Sequence, residues 1–229
     1  MARNKSTTTS KTSSSKIEPL APASENQALA MQYFKEKSIT ILEGLAGTGK
    51  TYIAVHYALQ QFFSNKVSKI IFTRPLVNVG NEQLGYLPGD VNDKTRPYTE
   101  QFSEYMEEFM PMMQFSDEKK IQSGLEFIPL AYIRGRNFQN TIIIADEMQN
   151  STQLQMKTLL TRLAEQSKLI ILGDTKQADR IDRVKNGLVD FVERHTAYNH
   201  PDIGLVTFKE EDIRRSEIIR HIMKMYGDI

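Results

Sequence analysis

From Ser24 onward two hydrophobic rhythms alternate along the chain. Short runs are apolar at nearly every position: Ser38-Ile-Thr-Ile-Leu-Glu43, Lys69-Ile-Ile-Phe-Thr73, Thr141-Ile-Ile-Ile-Ala145, Lys168-Leu-Ile-Ile-Leu172 and Ile203–Phe208. Strands of this kind bury both faces, as they do in a parallel sheet covered by helices on each side. Between them lie stretches with helical character: one opening at Ser24-Glu-Asn-Gln27 and running to about Glu36, then Lys50–Phe63, about Ser151–Gln166, and Ile213–Tyr226. Ser24-Glu-Asn-Gln27 has the form of a capping box. Tyr98–Gln114 also reads as a helix, interrupted by Pro111, and Phe127–Ile133 as a further strand weakened by Pro129. Residues 76–98, rich in Gly, Pro, Asn and Asp, read as a long functional loop. The pattern predicts a three-layer α/β domain with a mostly parallel central sheet of about five or more strands.

Residues 1–18 break this rhythm. MARNKSTTTSKTSSSK is Ser/Thr-rich and basic without an acid, so it has nothing to bury and is expected to be a disordered tail. Residues 19–229 are then the folded domain. The tail could touch nucleic-acid phosphates, but a solvated tail is the simpler reading.

Composition narrows the chemistry. The 229 residues carry 29 basic and 28 acidic side chains, so any nucleic-acid surface must be local. With no cysteine, disulfides, thiolate zinc sites and cysteine nucleophiles are excluded. The four histidines show no metal-ligand spacing. No apolar run approaches the roughly 20 residues of a membrane span, and the N-terminus lacks a secretory core, so a cytoplasmic protein without a membrane partner is expected. The Met-rich stretch Tyr105–Met113 reads as core or an oligomer contact.

One segment carries most of the chemistry. Gly44-Leu45-Ala46-Gly47-Thr48-Gly49-Lys50-Thr51 fits G-x-x-x-x-G-K-[ST], between a predicted strand and a predicted helix. Glycines let successive N–H groups converge on an anion at a helix N-terminus. Lys50 can reach the β- and γ-phosphates, and the Thr51 hydroxyl can ligate Mg²⁺. Asp146-Glu147 follow an apolar strand directly, where Asp146 can hold Mg²⁺ and Glu147 can act as base toward a water. That second acid favours hydrolysis over transfer to a small acceptor. Gly173-Asp-Thr-Lys-Gln177 ends the neighbouring strand, so Gln177 is the candidate γ-phosphate sensor, with Asp174 in support. Gln27 precedes Gly44 by seventeen residues and is either an adenine-reading amide or only the N3 residue of a capping box. Arg215 is the candidate for a second catalytic cation, with Arg214 beside it. Arg74, Arg134 and Arg136 are candidates for gripping a sugar-phosphate backbone, against the alternative of ordinary salt bridges.

Together these motifs resemble the PhoH-like ATPases over roughly Leu20–Met225. The resemblance rests on Thr73-Arg-Pro75, Gly85-Tyr-Leu-Pro-Gly-Asp90, Tyr132-Ile-Arg-Gly-Arg136, Ile143–Asn150 and Leu172–Gln177. Met148 stands where alanine is usual, and Arg214 and Ser216 replace an apolar residue and a histidine around Arg215. The family is similar to the first RecA-like half of superfamily-1 helicases. The resemblance implies ATP as substrate, Mg²⁺, association with RNA or another single-stranded nucleic acid, possible unwinding, and ring-shaped homo-oligomers, most simply hexamers. Members of this length occur in phages, so a bacterial or phage-infected cell is the expected setting. A ring would let a neighbouring subunit supply the arginine in trans. The rival readings are an ATP-dependent switch acting on a protein partner and, more remotely, a small-molecule kinase.

Overall fold

The computed structural model describes residues 17–76, 123–177, 186–227 and 229. The expected tail up to residue 16, the loop of 76–98 beyond Leu76, the helix of 98–114 and the Gly85–Asp90 block lie outside the described residues. Within them the elements run α1 (Glu25–Glu36), β1 (Ile39–Gly44), α2 (Lys50–Phe63), β2 (Lys69–Thr73), β3 (Leu125–Phe127), β4 (Thr141–Ala145), α3 (Gln153–Leu160), β5 (Lys168–Gly173), α4 (Gly187–Tyr198), β6 (Ile203–Phe208) and α5 (Glu217–Tyr226).

The six strands form one sheet in the order β3-β2-β4-β5-β1-β6, and every pairing is parallel. Successive side chains of a strand point to opposite faces, and here both faces are dry. Leu42, Ile70, Phe72, Ile142, Ile144, Ile170 and Leu172 pack with Phe34 of α1 and Ile53, Leu59 and Phe62 of α2. Ile41, Ile71, Ile143, Leu169 and Ile171 pack on the other face with Met156 and Leu159 of α3 and Leu188 of α4. The sequence expectation of a helix-covered parallel sheet is met, in three layers.

Five details differ from the sequence expectations. The strand expected over Phe127–Ile133 is Leu125–Phe127, and a 3₁₀ turn at Leu130–Tyr132 follows Pro129. The apolar run continues past the strand because Ile128, Leu130 and Ile133 are buried as loop residues. The helix expected to reach Gln166 ends at Leu160, and the last helix starts at Glu217 rather than Ile213. Helix α4 is additional: Asn186 caps it, its Oδ1 accepting from Leu188 N–H and Val189 N–H. Finally, Ile17 is buried in the core, so packing reaches into the segment expected to be tail.

Parallel strands place all their carboxyl ends on one edge, where crevices outside the sheet take ligands. That edge holds Gly44 at the end of β1, Arg74 after β2, Asp146 after β4 and Asp174 after β5.

Candidate active site

The loop between β1 and α2 is wound by left-handed glycines. Gly44 has φ +117°, and a Cβ there would run into the backbone carbonyl of Phe208 on β6. Gly49 caps α2 in the left-handed region without a side-chain hydrogen bond, leaving the helix N-terminal N–H groups uncovered by any cap. Thr48 is fully buried, and its hydroxyl donates to the Leu45 carbonyl at 3.0 Å. Lys50 turns back into the loop, donating to the carbonyls of Gly44 and Leu45, each at 2.7 Å. Burial lowers its pKa, and the charges of Asp174, Asp146 and Glu147 work against that, in that order. The order follows from the sheet: β5 lies next to β1, and β4 one strand further out.

Asp146 N–H donates to the Thr73 carbonyl at 2.9 Å, which fixes the strand end. Loss of hydration, then the charge of Glu147, pushes the Asp146 carboxyl from its ordinary 3.8 up to about 6, against the pull of Arg74 and Lys50. Glu147 adopts φ +54°, a left-handed conformation uncommon outside glycine, and its N–H donates to Asp146 Oδ1 at 3.0 Å. The Glu147 carboxylate accepts from Gln149 Nε2 at 2.6 Å.

Asp174 is buried; its Oδ1 accepts from Lys176 N–H at 2.9 Å, while Oδ2 has no hydrogen-bond partner. The Thr73 hydroxyl at the end of β2 is likewise buried and unpartnered. Buried polar atoms without partners cost about 1–3 kcal/mol each. Together with an acid held above its ordinary pKa, they suit a cationic ligand. Among the described residues no group of three or more His, Cys, Asp or Glu could cage a metal. A hydroxyl and one or two carboxylates suit Mg²⁺, which keeps most of its waters.

Gln27 makes more bonds than the N3 position of a capping box requires. The Ser24 hydroxyl accepts from Gln27 N–H at 3.3 Å, but the reciprocal bond of a capping box is not made. Instead Gln27 Oε1 accepts from Ala23 N–H at 2.8 Å, and Nε2 donates to the Thr48 carbonyl at 2.9 Å. The buried amide braces α1 against the phosphate loop.

Arg215 lies in the site of its own chain. A Cβ on Gly47 would meet Arg215 Nε at 2.6 Å and Cγ at 2.7 Å. The Arg214 N–H donates to the Gly47 carbonyl at 2.8 Å, and its guanidinium donates to the Ala23 carbonyl. Asp212, buried before them, accepts from Lys209 N–H and Asn26 Nδ2, each at 2.8 Å. The Lys209–Ser216 segment therefore straps the loop and α1 together. Arg215 is thereby held against the phosphate loop of its own chain.

Other candidates fall elsewhere. Gln177 is exposed on the turn after β5, with its N–H donating to the Asp174 carbonyl at 3.1 Å. The three candidate arginines have different surroundings. Arg74 faces Asp146 electrostatically, Arg136 pairs with Glu126 at 2.8 Å, and Arg134 is exposed on the turn beside it. Sequence reasoning assigned Gln149 no role; its partner on β5 becomes a neighbour only through the strand order.

A family model described as "PhoH-like protein" matches residues 19–227. The chain is 38% identical over 184 residues to a "PhoH-like protein" of Bacillus subtilis, covering 80% of this chain and 56% of that protein. It is 35% identical over 211 residues to "Protein PhoH" of Escherichia coli, covering 91% and 58%. A "PhoH-like protein" of Synechocystis is 35% identical over 198 residues, covering 85% and 59%. The chain thus spans under three fifths of the length of these relatives. Among solved structures it is similar to the Pyrococcus furiosus Hef helicase domain (TM-score 0.48, 13% identity, 82% of this chain and 39% of that one). It is also similar to the Sulfolobus solfataricus SWI2/SNF2 ATPase core in complex with dsDNA (TM-score 0.46, 14% identity, 82% and 44%).

Proposed function

The chain belongs to the PhoH-like family, and on that premise we propose that it hydrolyses ATP at the strand-end site described above. The observation that carries the proposal is the convergence of Lys50, Asp146, Glu147 and Asp174 on one edge of the sheet, close enough for all three acids to act on the Lys50 charge. The phosphate loop and the α2 N-terminus receive the triphosphate, with Lys50 leaving its carbonyl partners for the phosphate oxygens. Thr51 and Asp146 would hold Mg²⁺, which supplies charge neutralisation at the phosphates when bound. Glu147 takes the proton of a water as its oxygen bonds to the γ-phosphorus, while the bond to the β-phosphate oxygen breaks and ADP leaves with the electron pair. Arg215, lying over Gly47, is the cation nearest the loop from the C-terminal side and stabilises charge on the transferred group in cis.

Coupling to single-stranded RNA is proposed on the Leu130–Arg136 turn, where Tyr132 is 49% exposed and Arg134 is exposed beside it. Aromatic rings and arginines side by side suit stacked bases and phosphates. A second reading, a nucleotide-driven switch on a protein partner, is favoured by α5. Ile218, Ile222, Met225 and Tyr226 are all exposed there, and no residue of that helix is buried. Assembly into a homo-oligomeric ring is compatible with either reading. Among the described residues no helix is long and apolar enough to cross a membrane.

Steady-state ATPase rates with and without single-stranded RNA, across a salt series, separate the two. Stimulation that fades with salt and disappears in Arg134→Ala supports RNA coupling. A rate indifferent to RNA but altered by truncating α5 supports the switch.

A further inference from the structure

Gln149 is buried between the two strand-end loops that carry the acids, and its side-chain amide spans them. Nε2 donates to Glu147 Oε2 at 2.6 Å, and Oε1 accepts from Asp174 N–H at 3.2 Å. Only one orientation of the amide satisfies both neighbours. A carboxylate can only accept, and a backbone N–H can only donate, so a flipped amide would set like against like at each end.

The amide is also mounted rigidly. The Gln149 carbonyl accepts from Asn186 Nδ2 at 2.7 Å, and Asn186 is itself fully buried as the cap of α4. Room for the amide depends on Gly173 at the end of β5, where a Cβ would meet Gln149 Oε1 at 2.7 Å and Leu188 Cδ2 at 2.6 Å. A glycine at the close of an otherwise apolar strand thus has a local reason here: it lets the side chain of the β4 loop reach the backbone of β5.

We propose that Gln149 is the positioning residue of the hydrolytic step, holding the Glu147 carboxylate in place and linking it to the tip of β5 that faces the phosphate-loop lysine. The inference rests on the ATP-hydrolysis reading. Gln149 touches neither phosphate nor metal ligand; it acts through Glu147. One carboxylate oxygen is taken by the amide, which leaves the other for water. The second bond runs to the N–H of Asp174 just past β5, so one amide ties the Glu147 carboxylate to the neighbouring strand end.

The test uses Gln149→Met, which keeps the volume and removes both hydrogen bonds, and Gln149→Glu, which can still accept from Asp174 but cannot donate to Glu147 when ionised. Turnover of ATP and affinity for a non-hydrolysable ATP analogue are measured on the full chain. Both variants are expected to lose 10- to 100-fold in kcat, the range found when outer partners of catalytic ligands are removed. Analogue Kd should stay within about twofold. In a Glu147→Gln background, Gln149→Met should add no further loss, because its effect passes through the carboxylate. Wild-type kcat in Gln149→Met, alongside inactive Glu147→Gln, would overturn the inference and leave ATP hydrolysis standing. So would a kcat loss matched by an equal loss of analogue affinity. A Glu147→Gln protein that hydrolyses ATP like wild type would overturn Glu147 as the base, and a wild-type protein that binds the analogue but does not hydrolyse ATP would instead overturn the hydrolysis reading itself. If the Met variant does not fold, the isosteric Gln149→Glu decides the matter by the same kcat and Kd readings.

Discussion

Replacing Asp146 with asparagine is expected to stabilise the nucleotide-free protein while disabling it. Desolvation, followed by the charge of Glu147, raises the Asp146 carboxyl from 3.8 to about 6. The folded state therefore holds this proton more tightly than the unfolded chain does. Between about pH 4 and pH 6 stability falls as pH rises, and above that window the full penalty of the buried charge persists. At about 1.4 kcal/mol per pKa unit, the shift amounts to about 3 kcal/mol at pH 8 and about half of that at pH 5. Asp146 retains some solvent contact, so these values are ceilings. Asparagine has the same shape and no charge, so it escapes the penalty at every pH. For a chain of this size each kcal/mol moves Tm by roughly 2–4 °C, so a rise of up to roughly 6–12 °C is expected at pH 8. Thermal and urea melts of wild type and Asp146→Asn, in EDTA at pH 8, 5 and 4, measure it. The advantage should shrink steadily toward pH 4. With Mg²⁺ and ATP analogue present, wild type should gain stability and the variant little, since binding adds RT ln(1 + [L]/Kd) only where the site is intact. An asparagine variant no more stable than wild type at pH 8, or one whose advantage is the same at pH 4, would refute the reasoning.

Other consequences are equally direct. Gln27→Ala should weaken ATP and GTP binding by similar factors, because the amide braces Thr48 of the phosphate loop; a loss confined to ATP would restore the base-reading role. Arg215→Ala should lower kcat by about 10³-fold or more if it acts as the second cation. Mixing it with Lys50→Ala subunits should not restore activity, whereas recovery on mixing would show that the arginine works in trans. Gly44→Ala should cost more than about 2 kcal/mol in urea denaturation, since the new Cβ meets the Phe208 carbonyl and φ is +117°; an unchanged midpoint would show that the loop relaxes freely.

The strands were legible because each is a run of apolar residues buried on both faces, and only a helix-covered parallel sheet accounts for several such runs. The phosphate loop was legible because its chemistry is local: glycines for the winding, lysine and threonine at fixed offsets. What escaped was everything decided at long range. Gln27 matches the spacing of a capping box, yet its amide partner is a carbonyl 21 residues away. Gln149 stands within a recognisable block, but its role depends on β4 and β5 being adjacent, and no local pattern states that. Helix α4 was missed although Leu188, Phe191, Val192 and His195 recur at helical spacing. Its outer face is charged, and its N-cap Asn186 is followed by glycine, which reads as a turn. In the Phe127–Ile133 run, Ile128, Leu130 and Ile133 are buried around a 3₁₀ turn after Pro129, which keeps the apolar content of a strand without its backbone. Arg215 was chosen for its charge near the C-terminus, but its position over Gly47 comes from the strap formed by residues 209–216.

The most direct test of the central claim is the single-turnover rate of ATP cleavage by wild type and Glu147→Gln, with analogue binding measured on the same samples. The account predicts Mg²⁺-dependent cleavage by wild type, a loss of at least about 10²-fold in the variant, and unchanged nucleotide affinity. Equal cleavage by both proteins, or cleavage by neither despite tight binding, would contradict it.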